Sequence, residues 1–203
     1  MAAEASSEED QLWASRSNFE DIFTLVAVGD LKGVKEVVEK DREKLKATED
    51  GEGATPLHWA VRHNREDVVK MLVELGAGLE VLDKDGETPL LFACRDGRAS
   101  MVRLLVEELG ANMTIAGLDG QTALHRLADR GREGALVALL SLGAEINARD
   151  AKGRTPLHLA CAKAKGETFR NFPVNSAILF FASQTIGLLS VVSYGKIKCA
   201  HMK

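Results

Sequence analysis

Hydrophobic positions along this 203-residue chain recur in a regular alternation of short apolar runs and polar turns. One type of run carries apolar residues at helical spacing and ends in Gly-Ala, at residues 76–77, 110–111 and 143–144. Such a run predicts a helix with one buried face and a glycine at its C-terminal cap. The sequence therefore contains at least three similar helices separated by similar intervals.

A second signal precedes each of these helices. It reads Gly-Ala-Thr-Pro-Leu-His-Trp-Ala at residues 53–60, and three related segments begin at Gly86, Gly120 and Gly153. Their threonines are separated by 33, 34 and 33 residues. Threonine followed by proline is typical of a helix start, because the hydroxyl caps free amides and proline gives up an amide that would have no partner. Each unit is therefore predicted to be a helix–turn–helix pair, and a fixed period of this length predicts stacked units.

The turns have their own residue chemistry. The first helix of each unit is predicted to end near Asn64, Gly97 or Gly131, residue types that tolerate a left-handed backbone. Asp-x-x-Gly, as in Asp83 to Gly86 and Asp150 to Gly153, predicts a tight turn that leads into the next unit.

On these segments the chain resembles the ankyrin-repeat family, whose Thr-Pro-Leu-His-x-Ala motif is nearly intact at residues 55–60 and 155–160. The resemblance implies an all-α solenoid of stacked helix–turn–helix units with short β-turn tips. An acidic flexible tail is expected at residues 1–17, and an ankyrin-repeat domain at residues 18–168. The domain divides into an N-terminal cap (18–49), repeats at about 50–82, 83–116 and 117–149, and a partial repeat at 150–168.

Two features depart from the pattern. The 34-residue interval places one extra residue near Glu107 and Glu108, so that the second helix or its turn must bulge. The last repeat begins well but loses its pattern, and residues 169–203 form an apolar and basic tail. Three interpretations of this tail stay open: a membrane anchor within residues 174–194, a divergent cap, or a segment from an alternative exon or misread frame.

The composition argues against some classes of function and favours one cellular compartment. A net charge of −4 argues against general nucleic-acid binding, which needs concentrated lysine and arginine. Three cysteines without a CxxC pair favour a reducing compartment, so a cytoplasmic location is expected, with the nucleus as an alternative. The acidic N-terminus resembles neither a signal nor a transit peptide.

The residues that could carry catalysis or bind a metal are better explained by structural roles. His58, His125 and His158 occupy the same motif slot, where the resemblance implies hydrogen bonds to backbone and threonine. Their separation by one layer or more does not suit a metal, whose ligands converge on one point. Cys94 and Cys161 are expected to be buried and inert. No phosphate-loop, dinucleotide or zinc-protease motif occurs. We therefore predict a non-enzyme with no cofactor, metal or catalytic residue.

The resemblance implies that partner contacts come from turn tips and from the exposed ends of the first helices. Within this set, Arg62, Arg95, Arg130 and Lys163 are expected to form a loose basic stripe that favours a protein partner with an acidic or phosphorylated segment. The leading function is a protein-interaction adaptor, expected to be a monomer. The alternative is a truncated regulatory ankyrin region of a larger membrane protein or enzyme. The candidate contact residues are Glu52, Ala54, Arg62, His63, Lys84, Asp85, Glu87, Arg95, Asp96, Leu118, Asp119, Gln121, Asp129, Arg130, Lys152, Arg154 and Lys163.

Overall fold

The computed structural model describes residues 21–49 and 51–166, without the side chains of residues 161 and 163–166. Within these ranges the chain is helical and contains no β-strand, which confirms the all-α prediction. Its helices come in pairs joined by turns. They are α1 (Ile22–Val28), α2 (Leu31–Lys40), α3 (Pro56–Arg62), α4 (Glu66–Glu74), α5 (Pro89–Asp96), α6 (Ala99–Arg103), α7 (Ala123–Arg130), α8 (Glu133–Ser141) and α9 (Pro156–Gly166), with a 3-10 turn at Arg42–Lys46.

The helix ends follow the predicted residue chemistry. Thr55, Thr88 and Thr122 are the N-caps of α3, α5 and α7, and proline opens α3 and α5. Gly97 and Gly131 end α5 and α7 with φ of 74° and 65°, a left-handed conformation that glycine adopts without steric cost. Asn64 takes the same role after α3 at φ 55°. The sequence thus sets where each helix starts and stops.

Stacking arranges the helices in two rows. The first helices of successive units pack in the order α1, α3, α5, α7 and α9, while the second helices pack as α2 on α4 and α6 on α8. The core between the rows consists mainly of leucine, valine and alanine, together with Phe92, Ile22 and Met101. Each unit buries its apolar face only against its neighbours, which is the architecture of a solenoid. The predicted solenoid is therefore confirmed.

The extra residue predicted near Glu107 and Glu108 is accommodated inside the second helix of the second repeat. After α6 the helix widens into a π-helix at Leu104–Glu108, and the Leu109 amide bonds to the Leu104 carbonyl, five residues back, at 3.1 Å. A π-bulge absorbs one inserted residue without breaking the helix. Leu104 and Leu105 stay buried, so the insertion does not interrupt the core.

Histidines of the repeated motif join neighbouring repeats. The His58 Nδ1 accepts from the Thr55 amide at 3.2 Å, so the proton must sit on Nε2, which donates to the Glu87 carbonyl of the next repeat at 3.0 Å. His125 does the same with Thr122 and the Arg154 carbonyl, at 3.2 and 2.9 Å. Both side chains are fully buried. The structural interpretation of these two histidines is confirmed.

The tails at residues 1–17 and 169–203, including the possible anchor at 174–194, lie outside the described residues, as do the side chains of Cys161 and Lys163. Among the helices of the described ranges, none combines the length and the hydrophobicity needed to cross a bilayer. Nor do histidine, cysteine and carboxylate side chains in these ranges form a group that could hold a metal ion.

Candidate partner-binding face

The candidate contact residues come together on one face because they occupy equivalent slots of stacked units. Seven residues after the motif threonine lie Arg62, Arg95 and Asp129, and the next slot holds His63, Asp96 and Arg130. Since α3, α5 and α7 pack side by side, these slots form two short columns at the ends of the first helices. All six side chains are at least partly accessible to solvent.

Aspartates shape the turn tips that border this face. The Asp83 carboxylate accepts from the amides of Asp85 and Glu87 at 2.9 and 2.7 Å. Asp150 accepts from the amides of Lys152 and Arg154 at 2.9 and 2.8 Å. Burial tends to raise the pKa of Asp150, but these amides and the Arg154 guanidinium, at 2.7 Å, outweigh it and lower the pKa. The tips are thus held in a defined shape, and the side chains of Lys84 and Lys152 are exposed.

Arg62 is paired across the tip of its own repeat. Its guanidinium lies 2.7 Å from a carboxylate oxygen of Glu52, and the two side chains are 40% and 47% exposed. Exposed pairs of this kind contribute about 0–1 kcal/mol, so Arg62 can exchange Glu52 for another acidic group at little cost.

Glu87 is buried, which contradicts its prediction as an exposed contact at a turn tip. It was expected at an exposed turn, yet its side chain is only 6% exposed, because Arg95 and Arg126 cover it at 3.1 and 3.2 Å. Burial raises the pKa of Glu87, against the opposing pull of the two arginines. Arg95 also lies over the Phe92 ring at 4.2 Å. Glu87 is therefore an internal ion-pair partner and not an accessible contact. Ala54 is buried as well, at 1% exposure.

Arg126 lies at this face although the sequence pattern did not predict it. In the other units the equivalent slot holds Trp59, Phe92 and Leu159, all buried. Arg126 instead forms ion pairs with Glu87 and, at 3.3 Å, with Asp119. When the four motifs are aligned, Arg126 is the one charged residue at a slot that is apolar in the other three, and this departure could have identified it.

Aromatic side chains form the N-terminal end of the same face. The Trp59 indole stacks against the His63 ring with centroids 5.3 Å apart and meets Phe23 edge-on at 5.7 Å. The His63 ring is thus part of an aromatic cluster at the end of α3. The face as a whole combines aromatic groups, paired arginines and acidic tips.

The predicted basic stripe is strongly compensated by carboxylates. Arg62 and Arg95 each have an acidic partner, whereas Arg130 is exposed and forms no ion pair with any described residue. Lys84, Asp85, Asp119 and Lys152 are exposed at the tips, and Gln121, Arg154, Asp96 and Asp129 are partly exposed. Apart from the buried Glu87 and Ala54, the candidates whose side chains are described therefore lie together on one face of nearly balanced charge.

Comparison with known proteins agrees with the repeat geometry. A model for ankyrin repeats in three copies matches residues 75–150, and a single ankyrin-repeat model matches residues 52–84. Similar proteins include the putative palmitoyltransferase ZDHHC13 of Danio rerio, 35% identical over 75% of this chain and 23% of its own length. The human transient receptor potential cation channel subfamily A member 1 is 46% identical over 55% of this chain and 10% of its own length. Human rabankyrin-5 is 50% identical over 24% of this chain and 4% of its own length.

The chain thus spans a quarter or less of the length of these relatives. The matched segments coincide with the stacked helix pairs of the structure, and both repeat in step with the Thr-Pro-Leu-His motif. Residues 52–150 of this chain are therefore ankyrin repeats.

Proposed function

We propose that this chain is a non-catalytic adaptor that binds a protein partner through the ends of its first helices and its turn tips. Ankyrin repeats are protein-interaction modules, and a solenoid offers an extended surface for that purpose. The observation that carries the proposal is the alignment of accessible polar side chains on one face, from His63 and Arg62 to Arg130. The protein acts as a monomer in the cytoplasm.

The finer part of the proposal concerns the partner, a protein segment that is acidic or phosphorylated. Arg62 and Arg130 are its anchors, because Arg130 is exposed and Arg62 is held only by an exposed pair with Glu52. Arg95 contributes less, since its guanidinium is already committed to buried Glu87 and to the Phe92 ring. The stacked pair of Trp59 and His63 supplies an apolar contact beside Arg62.

A charge reversal tests this face. The double variant Arg62→Glu and Arg130→Glu should lose partners that the wild-type chain retains in an affinity pull-down analysed by mass spectrometry. Arg95 is left intact, because Arg95→Glu would place a second carboxylate beside buried Glu87 and would strongly destabilise the repeat. Retention of the same partners by the double variant would contradict the proposed face.

A matched control has the same charge change on the other row of helices. Lys32 and Arg103 are exposed on α2 and α6, so Lys32→Glu with Arg103→Glu alters net charge equally without touching the proposed face. This control should retain the partners. Equal loss in both variants would mean that net charge alone governs capture, which would overturn the proposed face.

The alternative function is a regulatory ankyrin region of a larger membrane protein or enzyme. Its support is that two similar proteins, whose names describe a putative palmitoyltransferase and a cation channel, are much longer than this chain. Transcripts that extend the reading frame beyond Gly166 into further repeats and another domain would favour it. Membrane fractionation of the full chain, with and without residues 169–203, tests the anchor separately: carbonate-resistant association that depends on those residues supports it.

A further inference from the structure

The three joints, meaning the interfaces between successive repeats, differ in the hydrogen bonds that cross them. At the joint between the first and second repeats, His58 donates to the Glu87 carbonyl, and the Lys84 amide donates to the Glu52 carbonyl at 3.0 Å. At the joint between the third and fourth, His125 donates to the Arg154 carbonyl, and the Ala151 amide donates to the Asp119 carbonyl at 3.1 Å. Each of these joints therefore has one histidine bond and one tip-to-tip backbone bond.

The joint between the second and third repeats lacks both bonds among the described residues. The histidine slot holds Leu91, which has no donor to offer the Gln121 carbonyl. At the tips, the amide equivalent to Lys84 and Ala151 is that of Leu118, which donates to no described carbonyl, and the Leu118 side chain is 77% exposed.

A third type of link is also absent from this joint as far as the described residues show. Arg65 and Arg98 each reach back to a carbonyl near the end of the preceding first helix, Ala27 at 2.8 Å and Val61 at 3.3 Å. Arg132 holds the equivalent position at the second-to-third joint and packs against Gly97, but it donates to no carbonyl in the described ranges.

Between the described residues, apolar packing and one polar contact cross this joint. Helices α5 and α7 pack together, as do α6 and α8. The polar contact within the described part of the chain is the ion pair of Glu87 with Arg126, at 3.2 Å. Burial raises the pKa of Glu87, so the charged carboxylate is held there at a cost that the arginines do not fully offset. An ion pair whose carboxylate is buried at a net cost stabilises this joint less than a buried histidine bond and a tip-to-tip backbone bond together stabilise each of the other two.

We propose that the joint between the second and third repeats is the hinge of the solenoid, at which residues 117–166 open from residues 21–116 as a unit. Neighbour-coupled repeats unfold at their weakest interface first. The hinge lies between Arg95 and Arg130, so opening changes the distance between the two halves of the face described above. The hinge itself does not depend on the proposed function.

Hydrogen exchange of the full chain, followed by mass spectrometry of its peptides, tests the proposal. Residues 117–149 and 150–166 should exchange together, and faster than residues 51–116. The loss of one net hydrogen bond corresponds to about a fivefold change in an opening equilibrium, and this joint lacks two, so a difference of at least about tenfold is expected. Ordinary end fraying gives a different result, with residues 117–149 as protected as residues 51–116 and only 150–166 exchanging faster. That result would overturn the hinge.

Two variants test whether these hydrogen bonds set the boundary between slowly and rapidly exchanging residues. Leu91→His restores the Thr-Pro-Leu-His motif and should slow exchange in residues 117–166 toward the rate of residues 51–116. His125→Leu gives the third-to-fourth joint the residue found at the weak one and should create a second boundary at residue 150. Should Leu91→His fail to fold, His125→Leu still decides: unchanged exchange of residues 150–166 relative to 117–149 would contradict the proposal.

Discussion

His58 and Glu87 are 29 residues apart in the chain, yet the imidazole Nε2 of His58 donates to the Glu87 carbonyl at 3.0 Å. The same ring accepts from the Thr55 amide, so one buried side chain caps its own helix and fastens the next repeat. A buried donor that loses its acceptor costs about 1–3 kcal/mol. We therefore expect His58→Leu to lower the free energy of unfolding by that amount, measured by urea denaturation with tryptophan fluorescence. A change below about 0.5 kcal/mol would contradict this role.

Burial also makes the contribution of His58 to stability depend on pH. Burial lowers the pKa of this imidazole, against the bond to Glu87 and the charge of Asp83. A base with a lowered pKa in the folded state contributes stability above its ordinary value of 6.5, and this contribution is lost as pH falls toward the folded value. The stability difference between wild type and His58→Leu should therefore shrink between pH 7.5 and 5.5.

Two glycines at the same turn position differ in what surrounds them. Gly120 and Gly153 have φ of 71° and 73°, so alanine at either site suffers the same left-handed strain, about 1–2 kcal/mol. A Cβ on Gly120 would lie 2.6 Å from the Ala151 amide nitrogen, whereas no described atom lies within 4 Å of one on Gly153. We expect Gly120→Ala to lower the unfolding free energy more than Gly153→Ala. Equal costs in denaturant titrations would mean that the backbone of the next repeat yields freely.

The sequence predicted the architecture because the period, the helix caps and the glycine turns are local signals that agree with one another. The single 34-residue interval also predicted the extra residue that the π-helix at Leu104–Glu108 accommodates. The partners of the charged side chains were not predicted, since a pair such as Glu87 with Arg126 joins different repeats and depends on how closely they pack. Leu91 was visible as a departure from histidine, but its effect depends on the carbonyl that the next repeat presents.

Cys94 is expected to be unreactive in the folded chain. It is fully buried, and burial together with the charge of Glu87 raises the pKa of its thiol, so thiolate is scarce at neutral pH. In a background with Cys161→Ser and Cys199→Ser, a disulfide reagent should label Cys94 only after denaturant is added. Rapid labelling without denaturant, at the rate of a free thiol, would show that the second repeat opens far more readily than its packing indicates.

Glu87 and Asp150 should respond to pH in opposite ways. The pKa of Glu87 is raised above its ordinary value of 4.5, mainly by burial, so its stabilising contribution is fullest below pH 4.5 and falls as pH rises through the folded value. The pKa of Asp150 is lowered below 3.8, because the bonds from Arg154 and from the amides of Arg154 and Lys152 outweigh the effect of burial. Its contribution is therefore complete at neutral pH and disappears only in stronger acid.

Glu87→Gln and Asp150→Asn make this contrast measurable. At pH 7 we expect Glu87→Gln to change the unfolding free energy by less than about 1 kcal/mol, because the neutral amide avoids the cost of burying the carboxylate, Arg126 keeps its ion pair with Asp119, and both arginines are partly exposed. Asp150→Asn should cost about 1–3 kcal/mol, since it weakens charge-assisted bonds that hold the tip. Between pH 7 and 4.5, wild type should gain stability relative to Glu87→Gln, while its advantage over Asp150→Asn stays nearly constant. A Glu87→Gln difference that does not vary with pH would show that the two arginines fully offset the burial of this carboxylate, and the second-to-third joint would then be stronger than its missing hydrogen bonds imply.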